Sequence, residues 1–272
     1  MATLNNSLCA ALCAVLLMLA VAAPVAAQQQ QGPVKPPPKA PDVRRLERDA
    51  PPEAPPIPVA DIIQRFTKNE SELKRAHDQF AFQLSVRLQE YPSGGGETGE
   101  LQMLSETYIK ADGKRYGRVL EEKPGNLVTF DFFREDLQDF AALPLFVLTA
   151  EDAQRYDIEY QGRQPLDELS TFIFRVRPKV LERRTLQFDG VVWVDEEDFV
   201  IVKTYGKWVA EVPPEANKMP FTMFETYREN VADKYWFPTF IRAEETVKND
   251  RGEARLRLTV RYSEFAITPP RP

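Results

Sequence analysis

From Phe82 to Phe265 the chain is written almost entirely in strand-length segments, and this limits its fold more than any other feature. "FQLSVRL" (82–88) alternates apolar Phe82, Leu84, Val86 and Leu88 with polar partners. Two further strands flank the turn at Asp112-Gly113, a strong hairpin signal. Strand-like runs follow at 156–160, 168–176, 188–194, 199–205, 221–229, 235–247 and 254–264. That makes roughly eleven strands, few of them separated by a helical period long enough for a parallel crossover. The pattern predicts a mainly β chain with a few helices (α+β), built on an antiparallel sheet. The last strand shows its faces most plainly. In "ARLRLTVRY" Leu256, Leu258, Val260 and Tyr262 point one way, and Arg255, Arg257 and Arg261 the other. The first set reads as interior, the arginine row as a solvated face.

Helical signals are sparse. Ile62, Phe66, Leu73, Ala76 and Phe80 recur at intervals of three, four or seven, with Ile63 widening the stripe. This predicts an amphipathic helix laid on something larger. His77 sits at the edge of that stripe, where a partly buried or capping histidine is expected. "EDLQDF" and "TAEDAQRY" read as short helices around Pro144, the second opened by Thr149 with Asp152 three residues on.

The folded part is expected to be residues 59–272. No Phe, Tyr or Trp precedes Phe66. Residues 28–58 hold ten prolines and no apolar period, a composition that cannot offset its ordering entropy, so they read as a disordered or polyproline II linker. Residues 1–27 carry no charged side chain, and an apolar run leads to Val25-Ala26-Ala27. They read as a signal peptide cleaved after Ala27, placing the mature chain in the periplasm. The alternative is an uncleaved anchor in the inner membrane, since 8–27 has about the ~20 apolar residues needed to span a bilayer.

Composition then removes several functions. Cys9 and Cys13, the two cysteines, leave with the signal, which excludes disulfides, thiolate metal sites and a cysteine nucleophile. His77 is the single histidine, so a multi-histidine zinc site is impossible within one chain. A net charge of -6 argues against nucleic acid or an anionic membrane as the main partner, because either calls for a basic patch. No G-x-S-x-G, P-loop or histidine cluster appears. No catalytic residue, metal ligand or cofactor is expected.

The run Asp195-Glu196-Glu197-Asp198 could be a metal site, an acid/base pair or a turn. It separates "VVWV" from "FVIVKTY", each of strand length, and four-residue hairpin loops are common. A calcium loop would need spaced ligands and carbonyls. The four acids read as a hydrated loop tip.

The same stretch carries a resemblance. "FDGVVWVDEEDFVIVKTYGK", "FETYRENVADKYWFPTFIRAEE" and "RLTVRYSEF" are similar to outer-membrane lipoprotein-sorting proteins of the LolA-like superfamily, which includes lipoprotein carriers and the lipid-sensing domain of anti-sigma regulators. The likeness spans roughly residues 60 to 268 and rests on Gly190, Trp193, Val194 and Asp195, with Lys203 closing the second strand. It implies a strongly curved antiparallel sheet, an incomplete barrel closed by helices over a hydrophobic cavity. It implies a non-enzymatic carrier or binding protein for acyl chains of a lipid or lipoprotein. Leu256, Leu258, Val260 and Tyr262 are then candidate cavity residues. Arg87, in the first strand, is the candidate for the basic residue with which carriers latch their lid. The alternative is an envelope interaction or signalling protein whose cavity is filled by its own side chains.

Overall fold

The computed structural model describes residues 53–267, except 93–95, 98, 112, 114, 124, 130–144, 212–220 and 232–233. All of them belong to the unit Glu47–Pro272. The expected signal peptide, the expected linker up to residue 52 and the short helix expected at 135–140 lie outside the described residues.

Helix α1 spans Val59–His77. It starts directly after Pro58, which has no N–H to lose and whose carbonyl accepts from the N–H groups of Asp61 and Ile62. Asp61 in the first turn and Lys74, Arg75 and His77 in the last complement the helix dipole. Ile62, Phe66, Leu73 and Ala76 are buried as their spacing predicts. Phe80 is not a fifth member of that stripe. The helix ends at His77, Asp78 and Gln79 turn the chain, and Phe80 opens the first strand.

Ten strands follow: β1 (Phe80–Pro92), β2 (Gly99–Ile109), β3 (Arg115–Lys123), β4 (Tyr156–Leu166), β5 (Leu169–Pro178), β6 (Gln187–Asp195), β7 (Ile201–Val209), β8 (Phe224–Val231), β9 (Tyr235–Asn249) and β10 (Gly252–Ile267). They form one antiparallel sheet in the order β3-β2-β1-β10-β9-β8-β7-β6-β5-β4. Consecutive strands pair as hairpins, except β3 and β4, and β1 also pairs with β10. The strands on either side of the 124–155 connection, β3 and β4, are the two edges. The sheet is therefore open, the incomplete barrel of the expected class, with ten strands among the described residues where about eleven were expected. The hairpin at Gly113 forms, with this glycine at φ 77, a conformation that favours its missing side chain. Thr149 and Asp152 do exchange hydrogen bonds, 2.8 Å between side chains and 3.0 Å from the Asp152 N–H. What they open is a single 3-10 turn, Asp152–Arg155.

Alternation gives the sheet an inner face, covered in part by α1, and an outer face. The inner face holds two apolar clusters. One lies on β1, β2, β9 and β10, where Val86, Val260 and Ile241 stand in one row and Leu88, Leu258 and Ala243 in the next. The other joins Ile62 and Phe66 of α1 to Phe172 and Phe174 of β5, Phe188, Val192 and Val194 of β6 and Ile201 of β7. Gly190 and Gly206 face each other beneath the Phe188 ring. A Cβ on Gly190 would come within 2.4 Å of that ring, and one on Gly206 within 2.6 Å, so both positions require glycine.

The four acids do make the β6–β7 turn, and Glu197 and Asp198 are exposed at its tip, but Asp195 is not part of a hydrated tip. Asp195 is 4% exposed. Its Oδ2 accepts the N–H groups of Glu197 (3.0 Å) and Asp198 (2.7 Å), a local side-chain turn that satisfies two backbone donors. Glu196 pairs with Arg163. Phe199 closes the turn at φ 52, held by Asn69 of α1, which donates to the carbonyls of Asp198 and Phe199 at 2.9 and 3.0 Å.

Candidate functional site

The four residues singled out on the last strand sit together on the inner face of β10. Leu256, Leu258 and Val260 are 0–1% exposed, and Tyr262 is half-buried at the margin of their cluster. β1 brings Leu84, Val86 and Leu88 against them, and β2 adds Leu101 and Met103. The Tyr262 ring lies 5.4 Å from that of Phe82. Burial pushes its phenol pKa up, with Arg115 acting in the opposite sense. The surface these residues make is nearly all aliphatic. One buried carboxylate borders it, Glu90 beside Leu256, which accepts the N–H groups of Val128 and Thr129 at 2.5 and 2.7 Å.

Around this surface the partly buried residues Val119, Leu127, Phe221, Phe224, Val247 and Phe265 pack on the cluster. None belongs to α1. The helix instead occupies the other half of the inner face, where polar contacts fix it. Glu70 accepts from Arg228 of β8 at 2.6 and 3.1 Å, a two-pronged pair whose side chains are 1% and 0% exposed. Arg228 also donates to the Phe146 carbonyl at 2.7 Å, and Glu70 accepts the Leu148 N–H at 3.3 Å. One ion pair thus ties helix, sheet and the 146–148 segment together. The sequence held one hint of it. Glu70 stands four residues after Phe66 and three before Leu73, so a carboxylate occupies the apolar stripe and must have a partner.

Two expectations from the resemblance are corrected. Arg87 is on the outer face, its side chain 45% exposed and paired with Glu100, so it latches nothing on the inner face. Alternation decides this, since Arg87 lies between the inward Val86 and Leu88. Lys203 does not close its strand either; β7 runs on to Val209. Its ammonium lies 3.4 Å from Glu225, 5.0 Å from the Trp193 ring centre and 4.8 Å from that of Tyr227. Burial lowers the Lys203 pKa, and Glu225 partly restores it. The cross-strand row continues through Phe240, 6.1 Å from Tyr227, to Arg261, 5.0 Å from the Phe240 ring. Each cation in the row lies over at least one ring, an arrangement that stabilises buried charge on the outer face.

Among the described residues no group of three or more His, Cys, Asp or Glu side chains could hold a metal ion. No helix among them is long and apolar enough to cross a membrane.

No family model and no curated protein matches the chain. Solved structures do. A DUF1329 family protein from Desulfovibrio piger is 14% identical, with 77% of this chain and 93% of that one covered and a TM-score of 0.38. A LolA superfamily protein from Nitrosomonas europaea is 13% identical, with 75% and 95% covered and a TM-score of 0.34. A putative outer membrane lipoprotein-sorting protein domain from Vibrio parahaemolyticus is 10% identical, with 77% and 95% covered and a TM-score of 0.36.

Proposed function

We propose that this chain is a non-enzymatic periplasmic carrier or binding protein that takes acyl chains of a lipid or lipoprotein on the inner face around Leu256, Leu258, Val260 and Tyr262. The observation that carries the reading is the mismatch between sheet and helix. Ten strands spaced by about 4.8 Å give a sheet roughly 43 Å wide. The 19 residues of α1 make a rod about 28 Å long and roughly 10 Å across. One such rod covers part of that face: its apolar stripe packs on the phenylalanine-rich part and the Phe80–Phe237 corner, and it meets the aliphatic cluster at its margin, where His77 faces Phe82. The aliphatic part beyond it suits a hydrocarbon ligand, each buried methylene contributing about 0.8 kcal/mol. Export through the Val25-Ala26-Ala27 leader puts such a protein in the compartment where lipids and lipoproteins cross between membranes.

A second reading is favoured by the near-complete burial of Leu256, Leu258 and Val260. In it the cluster is a filled core, and the protein acts through partners in the envelope. The two readings separate at Leu258. In a filled core Leu258→Ala costs roughly 2–5 kcal/mol, and Leu258→Trp overpacks and destabilises by about 1–3 kcal/mol. In a lipid-lined site Leu258→Trp leaves stability nearly unchanged and blocks binding of a fluorescent fatty-acid probe. Strong destabilisation by both variants, with no probe bound by the parent, rejects the carrier reading.

A further inference from the structure

We infer that the β5–β6 loop, residues 179–186, is a docking surface for an anionic phospholipid bilayer. Val180 and Leu181 stand next to each other in it, 73% and 45% exposed. Lys179, Arg183 and Arg184 flank them and are exposed too. The loop's own carboxylate, Glu182, lies 3.6 Å from Arg155 and so does not offset the other cations alone. Glu211 is tied to the loop through its backbone, its N–H donating to the Glu182 carbonyl at 3.1 Å.

This loop is shaped, not loose. The buried Gln187 side chain accepts the Glu182 N–H at 2.8 Å and donates to the Val180 carbonyl at 3.2 Å. The Lys179 N–H donates to the Arg155 carbonyl at 2.8 Å. Two aliphatic side chains are therefore held outward in advance, so little ordering entropy opposes their insertion. An apolar tip beside cations matches a membrane interface, with methyl groups among the acyl chains and cations at the phosphates. An apolar groove on a protein would match the tip but not the three cations. The whole-chain charge of -6 conceals this patch and gives it a second effect. Repulsion of the remaining surface from anionic lipid orients the molecule with this end down.

The inference goes beyond acyl-chain binding and does not depend on it, though the two are placed to cooperate. Directly after Gln187, Phe188 packs on Trp208 and Phe224, at 6.1 and 6.2 Å between ring centres. Phe224 borders both apolar clusters. The loop thus leads into the phenylalanine-rich cluster, which meets the aliphatic one at Phe224.

Flotation of the mature chain tests it, with vesicles of phosphatidylcholine alone or mixed with phosphatidylglycerol. Capture by the mixed vesicles should exceed capture by phosphatidylcholine about tenfold and fall with added salt. Val180→Ser with Leu181→Ser, and separately Arg183→Glu with Arg184→Glu, should each lower it about tenfold. Both pairs should keep the parent's melting temperature and its fatty-acid probe binding. Equal capture by the two vesicle types, no capture by either, or parent-like flotation of both variants overturns the inference. Loss of probe binding by the parent with flotation intact would reject the acyl-chain site alone.

Discussion

Five of the eleven buried residues in the cluster beneath α1 are phenylalanines, against one of eleven in the cluster on β1, β2, β9 and β10. The rings beneath the helix fix one another: Phe146 stacks on Phe188 at 4.1 Å, and Phe66 meets Phe174 at 5.4 Å. Beneath α1 an ion pair sealed from water, Glu70–Arg228, adds to this. The difference teaches where this fold spends its specificity. Rings and a sealed charge pair admit one arrangement; aliphatic side chains, with several rotamers of similar energy, accommodate many.

The harshest way to break that contrast is Arg228→Leu. It leaves the Glu70 carboxylate buried without its cation and should cost about 3–5 kcal/mol in urea unfolding. Adding Glu70→Leu should recover much of the loss, because the unpaired charge, not the missing pair, is what destabilises. A single variant no worse than a surface substitution would show that the helix is not anchored here.

His77, at the seam between the halves, gives the next largest effect. Its ring faces Phe82 and Phe237 at 5.4 and 5.9 Å. Burial, with the Arg115 cation beside it, lowers its pKa from 6.5 to about 4, opposed by Asp78. The folded value lies below the unfolded one, so between them the unfolded state binds the proton. Stability is complete above pH 6.5 and falls as pH drops toward 4, by about 3 kcal/mol in all. His77→Gln should remove that part of the acid dependence while the carboxylates' share remains. Unchanged slopes between pH 4 and 6.5 would place the ring in water.

Smaller again is Asp195→Ala, which strips two N–H groups of their acceptor and should cost about 1–2 kcal/mol. Glu197→Ala, two positions beyond the cap in the same turn, should stay within about 0.5 kcal/mol. Equal effects would return all four acids to the role of a hydrated tip. The smallest is Arg87→Ala, an exposed pair worth less than about 1 kcal/mol and weaker still at high salt.

The strands were legible because alternation is local. Every run predicted between 156 and 264 contains or overlaps an observed strand, and the split of "ARLRLTVRY" into two faces holds residue by residue. The misses come from partners distant in the chain. Phe80 fits the helical stripe by spacing alone, and the two-residue turn before it breaks that spacing. Asp195 looks like its three acidic neighbours until the backbone donors it caps are known. Arg228 alternates inward with Phe224 and Thr226, where a cation needs a buried partner, and that acid lies 158 positions away. Lys203 in the β7 interior is the same kind of case, made tolerable by rings from two neighbouring strands.

The pairing of β1 with β10 has a consequence for how the molecule comes into being. Phe80 is matched with Ile267, so the hydrogen-bond ladder in the middle of the sheet joins the first strand to the last. Nothing made earlier can substitute for it: β1 to β3 form a short meander of their own, and α1, although synthesised first, reaches β1 at Phe80 and Phe82 but buries Ile62 and Phe66 against β5, β6 and β7. Closing so long a loop delays the central contacts, which makes assembly slow relative to helical proteins of similar size. Until β10 arrives, the β1 side that later pairs with it is an open edge beside an uncovered apolar face, the kind of intermediate that aggregates. A chain stopped before Gly252 would be two sheets, not one sheet shortened. Deletion at the carboxyl end should therefore be far more damaging than the loss of any other single hairpin.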